Sequence, residues 1–189
     1  MTNKLAHYLP EAALNQLDKL LEQHSFKLKI VNQRITKHGD FRRLSNGSFQ
    51  ITLNNNLNHY QFLITLLHEM AHFIVYTNNP KSQPHGKEWK NSFQHLMLPF
   101  INPANFPTEL LPLIASYIKN PKASTDSDIK LSLALKQYNK PTDKNYIFEL
   151  PQGSLFYFKE NIFRKGLKRR VRIECVELKS KRNYLFNPN

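Results

Sequence analysis

Leu66-Leu67-His68-Glu69-Met70-Ala71-His72-Phe73-Ile74 sets two histidines and a glutamate inside an apolar run. The run predicts a helix, and on a helix His68 and His72 fall one turn apart on the same face. Two neutral imidazoles so placed suit a zinc ion at about 2.0–2.1 Å, and a catalytic zinc site keeps three protein ligands with water in the fourth position. Glu69 follows the first histidine and lies about 100° around the helix, beside such an ion rather than on it. There it can take a proton from a water whose pKa the metal lowers to about 7. The pattern points to hydrolysis of peptide bonds.

A shuffled chain of this composition contains HExxH with a probability of about one in sixty, so the surroundings of the motif decide its meaning. Phe62, Leu63, Leu66, Leu67, Met70, Phe73, Ile74 and Val75 make the segment apolar on most sides, which marks a buried helix. Two imidazoles and a carboxylate are costly to bury there unless something satisfies them, and a metal does so. The helix is expected from about residue 57 to residue 76, ending at the turn formers Thr77-Asn78-Asn79-Pro80.

A second helix is expected after Pro84-His85-Gly86-Lys87-Glu88-Trp89, where Phe93, Leu96 and Met97 recur at helical spacing. His85, just before it, is the best third ligand, with Gly86 letting the backbone approach the metal. His95 lies inside that second helix, and His59 lies off the metal-facing side of the first. His7, His24 and His38 fall in expected surface positions, so all five read as ordinary histidines. Tyr76 is a candidate for stabilising an oxyanion, set against the plainer reading of packing at a helix end.

His68-Glu69-Met70-Ala71-His72 followed by His85-Gly86-x-x-Trp89 resembles the SprT-like (Spartan-type) zinc metallopeptidases. The resemblance covers residues 5–100, including the strand-like Ile51-Thr52-Leu53-Asn54 ahead of the motif. It implies a zincin-like fold, one Zn²⁺ held by His68, His72 and His85, and Glu69 as general base. It also implies substrates that are proteins on or near DNA. The family often adds a C-terminal zinc ribbon with two cysteine pairs. Here the chain departs from it, because Cys175 is the one cysteine and no such site can form.

The C-terminal region keeps a ribbon-like rhythm, with short strands expected at 146–150, 154–158, 170–176 and 182–186. A small sheet held by aromatics follows, with Cys175 as a buried small hydrophobe. The fold class expected overall is α+β. An N-terminal helix (11–23), a three-stranded antiparallel sheet (26–35, 41–44 and 48–53, turning at Ser45-Asn46-Gly47), the motif helix and the second ligand helix make a zincin-like domain over 1–121. A further helix is expected at 108–117. Residues 122–144, polar at their start and with a short helix possible at 129–138, read as a linker, and 145–189 as a basic β-appendage.

Charge is the second functional clue. The net charge of +13 is uneven: residues 1–121 hold 12 basic and 7 acidic side chains, and 122–189 hold 15 and 7. Arg164, Lys165, Lys168, Arg169, Arg170 and Arg172 form the densest cluster, expected as a basic turn leading into a strand. With Phe156, Tyr157, Phe158, Phe163 and Tyr184 nearby, it suits phosphate backbone and stacked bases. The plainer readings are a solvated basic face over an aromatic core, or contact with a membrane or an acidic protein.

One cysteine rules out an internal disulfide framework. The N-terminal residues lack the apolar core of a secretory signal, and no stretch is long and apolar enough to span a bilayer, so a cytoplasmic location is expected. The reading that follows is a zinc-dependent peptidase with a protein substrate and DNA as a possible partner. Its alternative is a non-catalytic, zinc-containing nucleic-acid-binding or transcription-associated protein.

Overall fold

Leu17 and Leu21, one turn apart, form the buried face of α1 (Leu14–Glu22). A 3-10 turn, Glu11–Ala13, leads into that helix from Pro10, whose φ of −58° already suits it. The computed structural model describes residues 5–34, 36–140, 146–170 and 172–187. The chain divides into two compact units, Met1–Asn139 and Lys140–Asn189.

In the first unit β1 (Lys27–Val31), β2 (Gly39–Arg43) and β3 (Phe49–Asn54) form a sheet in the order β1-β3-β2. β2 and β3 make the expected hairpin, with Gly47 at φ +84° in its turn, a conformation glycine adopts freely. β1 instead pairs parallel to β3, so the sheet is mixed rather than wholly antiparallel. The alternation of Leu28 and Ile30 against lysines signals a half-buried strand but carries no information about direction. β3 takes the centre because it is buried almost throughout. The chain leaving β1 must therefore cross to the far edge before β2 begins. Arg34 holds that crossing, donating from Nε to Asn54 Oδ1 and from Nη1 to Thr52 Oγ1, both at 2.9 Å.

The Asn54 N–H donates to the His38 carbonyl at 2.9 Å, which sets the phase of the β2 ladder. Asp40 and Arg42 bond to β3, while Gly39, Phe41 and Arg43 turn their backbone groups to the outer edge. Among the described residues no strand pairs with that edge.

Helix α2 (His59–Asn78) starts where the Asn58 side chain accepts from the Gln61 N–H at 2.9 Å. It is buried from Gln61 to Ala71, as the apolar run predicts, and α3 (Lys87–Met97) packs against it. α4 (Leu111–Lys119) and α5 (Ile129–Lys136) complete the unit. Leu131 and Leu135 of α5 are fully buried in the main core, and Asn58 Nδ2 donates to the Leu135 carbonyl at 2.8 Å. Residues 122–139 are thus part of the first unit, where the polar sequence suggests a linker. Polar bonds rather than apolar periodicity hold the segment before α5. Residues 141–144 of that expected linker and residue 145 of the expected appendage lie outside the described residues.

The second unit is an antiparallel sheet in chain order: β4 (Leu155–Phe158), β5 (Asn161–Arg169), β6 (Arg172–Glu177) and β7 (Asn183–Phe186). Two expectations change here. Residues 146–150 form a turn rather than a strand, and the basic stretch 164–169 lies within β5 rather than in a turn. Between Lys165 and Lys168 the register shifts, and at Gly166 a Cβ would meet the Glu174 carbonyl oxygen at 2.7 Å. Phe163, Ile173 and Cys175 form the core, with Phe156 and Phe186 packed on it. Cys175 is the buried small residue the sequence suggests. Among the described residues no helix is long and apolar enough to cross a membrane.

Candidate metal centre

The α2 helix presents His68 and His72 on one face, and the turn before α3 brings His85 to meet them. His72 Nε2 lies 3.3 Å from His68 Nε2 and 3.0 Å from His85 Nε2, and the third side of the triangle is 3.3 Å. Hydrogen bonding does not account for this, because each ring nitrogen offers one proton or one lone pair aimed at one partner. Ligands at about 2.0–2.1 Å from a tetrahedral zinc stand about 3.3 Å apart, so the three nitrogens fit such an ion. Among the described residues these histidines are the one cluster with metal-ligand spacing.

Burial, then the neighbouring His72 and His85, hold His68 down to about 2. Burial and then His85 bring His72 to about 4, and burial lowers His85. All three rings are therefore neutral at neutral pH, the form that binds metal.

Trp89, fully buried on α3, holds the three imidazoles in place. It stacks on His72 at 5.3 Å and meets His68 and His85 edge-on at 4.6 and 4.7 Å. Its Nε1 donates to the His68 carbonyl at 3.4 Å, and Phe93 stacks on its far side. His85 sits at φ +59°, in the left-handed region that non-glycine residues seldom enter. That strain is held by the turn, in which the Gly86 N–H donates to the Gln83 carbonyl at 2.9 Å. A Cβ on Gly86 would stand 2.9 Å from the same carbonyl oxygen, so Gly86 serves the turn and not an approach to the metal.

Glu69 is buried against the outer edge of β2. A Cβ at Gly39 would come within 2.7 Å of the Glu69 Cγ and Oε1, so only glycine fits there. Burial, then the Asp40 carboxylate, push the Glu69 carboxyl up to about 8, against the Phe41 backbone N–H, Arg34 and Lys37. Proton exchange by this carboxyl near neutral pH is thereby favoured. A cavity of about 400 Å³ opens over His68, Glu69, His72 and His85, reaching Phe41 and Tyr76. Tyr76 lines it with its ring tilted on Phe41 and edge-on to Phe49, at 5.7 and 6.0 Å.

His38 is not the plain surface histidine its sequence suggests. Its Nε2 lies 2.8 Å from Asp126 Oδ2 and 3.3 Å from Gln61 Nε2. Gly39 and the segment around Asp126 escaped the reading of residue types, though a glycine opening a strand is a signal of close approach, and Trp89 was quoted with His85 but given no packing role.

The basic cluster is divided by its strands. Lys165 turns inward and donates to the Phe148 carbonyl at 3.2 Å and to the Leu150 carbonyl. Arg169 bonds Glu174 at 2.9 Å and is the register partner of Arg172, while Arg164 pairs with Val176. Lys168 stands opposite Ile173, and Arg170 lies in the turn at φ +50°. Of the aromatics, Phe163 is buried and Phe156 packs on it, whereas Tyr157 is 70% exposed.

The family model described as SprT-like matches residues 7–108, more than half of the chain. No curated protein and no solved structure shows a match.

Proposed function

Because the chain belongs to the SprT-like family, we propose that it is a zinc-dependent peptidase in which His68, His72 and His85 hold the ion and Glu69 moves the proton. The observation that carries this reading is the triangle of ring nitrogens sharing one cavity with a buried carboxylate of raised pKa. Bound zinc supplies Lewis-acid polarisation of a carbonyl and acidifies a water. Glu69 accepts a proton from the attacking water and passes it to the leaving amine. The Phe41 N–H and the absence of a side chain at Gly39 fix the carboxylate for both transfers. The edge of β2, with which no strand pairs among the described residues, offers the Gly39 backbone and the Phe41 carbonyl to an extended peptide, while the Phe41 N–H is bonded to Glu69.

A structural zinc site has no use for a buried carboxylate at this position, which favours catalysis over the non-catalytic reading. Proteins on or near DNA are the proposed substrates, and the charge of the second unit supports that placement. Arg164, Lys168, Arg169, Arg170 and Arg172 remain the residues proposed to meet phosphate, and Lys165 is withdrawn from that role because it is bonded inward.

Glu69→Gln tests the reading. The variant should keep one zinc per chain and lose peptide hydrolysis by about 10²-fold or more, since the amide accepts no proton. Equal cleavage of a casein or DNA–protein crosslink substrate by both proteins would refute this role for Glu69.

A further inference from the structure

Asp126 lies beyond residue 108, where the SprT-like match ends, yet its side chain reaches back to the residue before Gly39. Asp126 Oδ2 stands 2.8 Å from His38 Nε2, and Asp126 Oδ1 accepts from Ser132 Oγ at 3.2 Å. The Asp126 N–H donates to Ser124 Oγ at 3.2 Å, so the segment ahead of α5 holds the carboxylate from its own side. An ionised carboxylate only accepts, which puts the imidazole proton on Nε2. Gln61 of α2 packs beside that bond, its Nε2 3.3 Å from His38 Nε2. Gln61, Thr65 and Glu69 recur at four-residue spacing and share one face of the helix. The His38 carbonyl, for its part, accepts from the Asn54 N–H of β3 at 2.9 Å.

We propose that His38 and Asp126 are positioning residues for Glu69: the bond between them seats the start of β2, and through Gly39 it sets where the Glu69 carboxylate stands. Its effect on rate rests on the peptidase reading, whereas the seating itself can be read without a substrate. Gly39 follows His38 directly and packs hard against α2. A Cβ there would stand 2.7 Å from Glu69 Cγ and Oε1 and 2.8 Å from Thr65 Cγ2. Two residues on, the Phe41 N–H bonds the same carboxylate. β3 holds the inner side of β2, and among the described residues no strand pairs with its outer side. A shift at His38 therefore passes along the strand to the two backbone positions that Glu69 lies against.

Magnitudes decide what kind of role this is. The His38 and Asp126 side chains are 29% and 38% exposed, so solvent screens the pair and the fold gains little from it. A reacting group misplaced by about 1 Å loses about 10²-fold in rate. The pair should therefore weigh more on turnover than on stability. Zinc content should not follow it, because the atoms nearest Gly39 belong to Glu69 and Thr65.

The test uses the zinc-loaded full chain carrying His38→Ala, Asp126→Ala, both together, and Asp126→Asn, which keeps an acceptor for His38. Amide hydrogen exchange read by NMR comes first. The Phe41 N–H should exchange about fivefold or more faster in the Ala variants, as loss of one hydrogen bond implies. The Asp40 N–H, on the β3 side of the strand, should keep its native rate. On one fluorogenic peptide, kcat should fall about tenfold or more with KM and zinc content unchanged, the pattern of an interaction made only in the transition state. The double variant should be no worse than either single one, since each removes the same bond, and Asp126→Asn should recover most of the loss. A Phe41 amide that exchanges at the native rate in both single variants, or losses in kcat that add in the double variant, overturns the positioning role. A native chain that holds zinc and cleaves nothing overturns the peptidase reading, and the Phe41 amide then still decides whether the pair seats β2.

Discussion

The two units solve the problem of placing polar side chains in opposite ways. In the first, a continuous core from Leu5 to Leu135 surrounds His68 and Glu69, and even Trp89 beside the imidazoles is fully buried. In the second, Phe163, Ile173 and Cys175 are the buried hydrophobics among the described residues, and the sheet leaves Leu155 56% and Leu185 55% exposed. Thick packing around the ring nitrogens serves a site that must hold its groups to within about 0.5 Å. A thin sheet carries arginines on its exposed positions, which is enough for charge. Substitutions in the first unit should therefore cost stability and function together, whereas those in the second should act singly and weakly.

The largest effect is expected from Trp89→Ala. It removes a buried aromatic that touches all three imidazoles, at a cost of about 3–5 kcal/mol. Zinc affinity should fall with stability, read as a lower urea midpoint and incomplete metal content. Trp89→Phe should recover most of both. If Trp89→Ala lowered stability but bound zinc as tightly as the native chain, the core would not be what aligns the ligands.

Gly39→Ala separates position from packing. The added methyl must displace Glu69, and a misplacement of about 1 Å costs about 10²-fold in rate. Zinc content should be unchanged, because the atoms nearest the added methyl belong to Glu69 and Thr65. Full activity in this variant would show that the carboxylate is free to move, against the buried and bonded Glu69 described above.

The tie between His38 and Asp126 is part-exposed, so solvent screens it and its contribution is about 1 kcal/mol. Burial alone would raise the Asp126 pKa, but the His38 hydrogen bond and charge, with Lys136 and Ser132, hold it below the ordinary carboxylate value. A depressed folded pKa stabilises the protein above the unfolded value, near 3.9, and the gain disappears as pH falls through the folded one. The difference in urea midpoint between native and Asp126→Asn should thus shrink as pH falls from about 5 to below about 4. The fluorescence of Trp89, the sole tryptophan, reports it. A difference that grows on acidification would reverse the assignment.

Much of the first unit was legible because its signals are local. An apolar run with histidines four apart, a Ser-Asn-Gly turn and leucines at helical spacing each declare an element by themselves. Strand direction was not legible, since β1 reads the same parallel or antiparallel. Nor was the 122–139 segment, whose anchoring depends on His38 and Asn58, far away in sequence. In the second unit the four basic residues Arg164, Lys165, Lys168 and Arg169 hid the alternation that makes β5 a strand, because Phe163 alone on that strand is deeply buried. Of the candidate site, His68, His72, His85 and Glu69 were singled out from residue type and spacing, and the structure brings them together around one cavity. Trp89 and Gly39 act by shape, which residue type does not announce.

The smallest effect tests how the basic cluster divides. Arg172 is exposed at the end of β6, so Arg172→Ala should remove one phosphate contact and lower the slope of log K against log salt by about 0.9 on duplex DNA. Lys165 is equally charged, but its ammonium is spent on the carbonyls of Phe148 and Leu150. Lys165→Ala should leave the slope unchanged and lower stability by about 1 kcal/mol, the net worth of a typical hydrogen bond. Anisotropy of a labelled duplex over about 50–200 mM salt distinguishes the two. Equal loss of slope in both variants would mean that Lys165 leaves its carbonyls when DNA arrives. A native chain that binds no DNA at low salt would leave the charge of the second unit without a nucleic-acid partner, and the substrate would then be found through protein contacts alone.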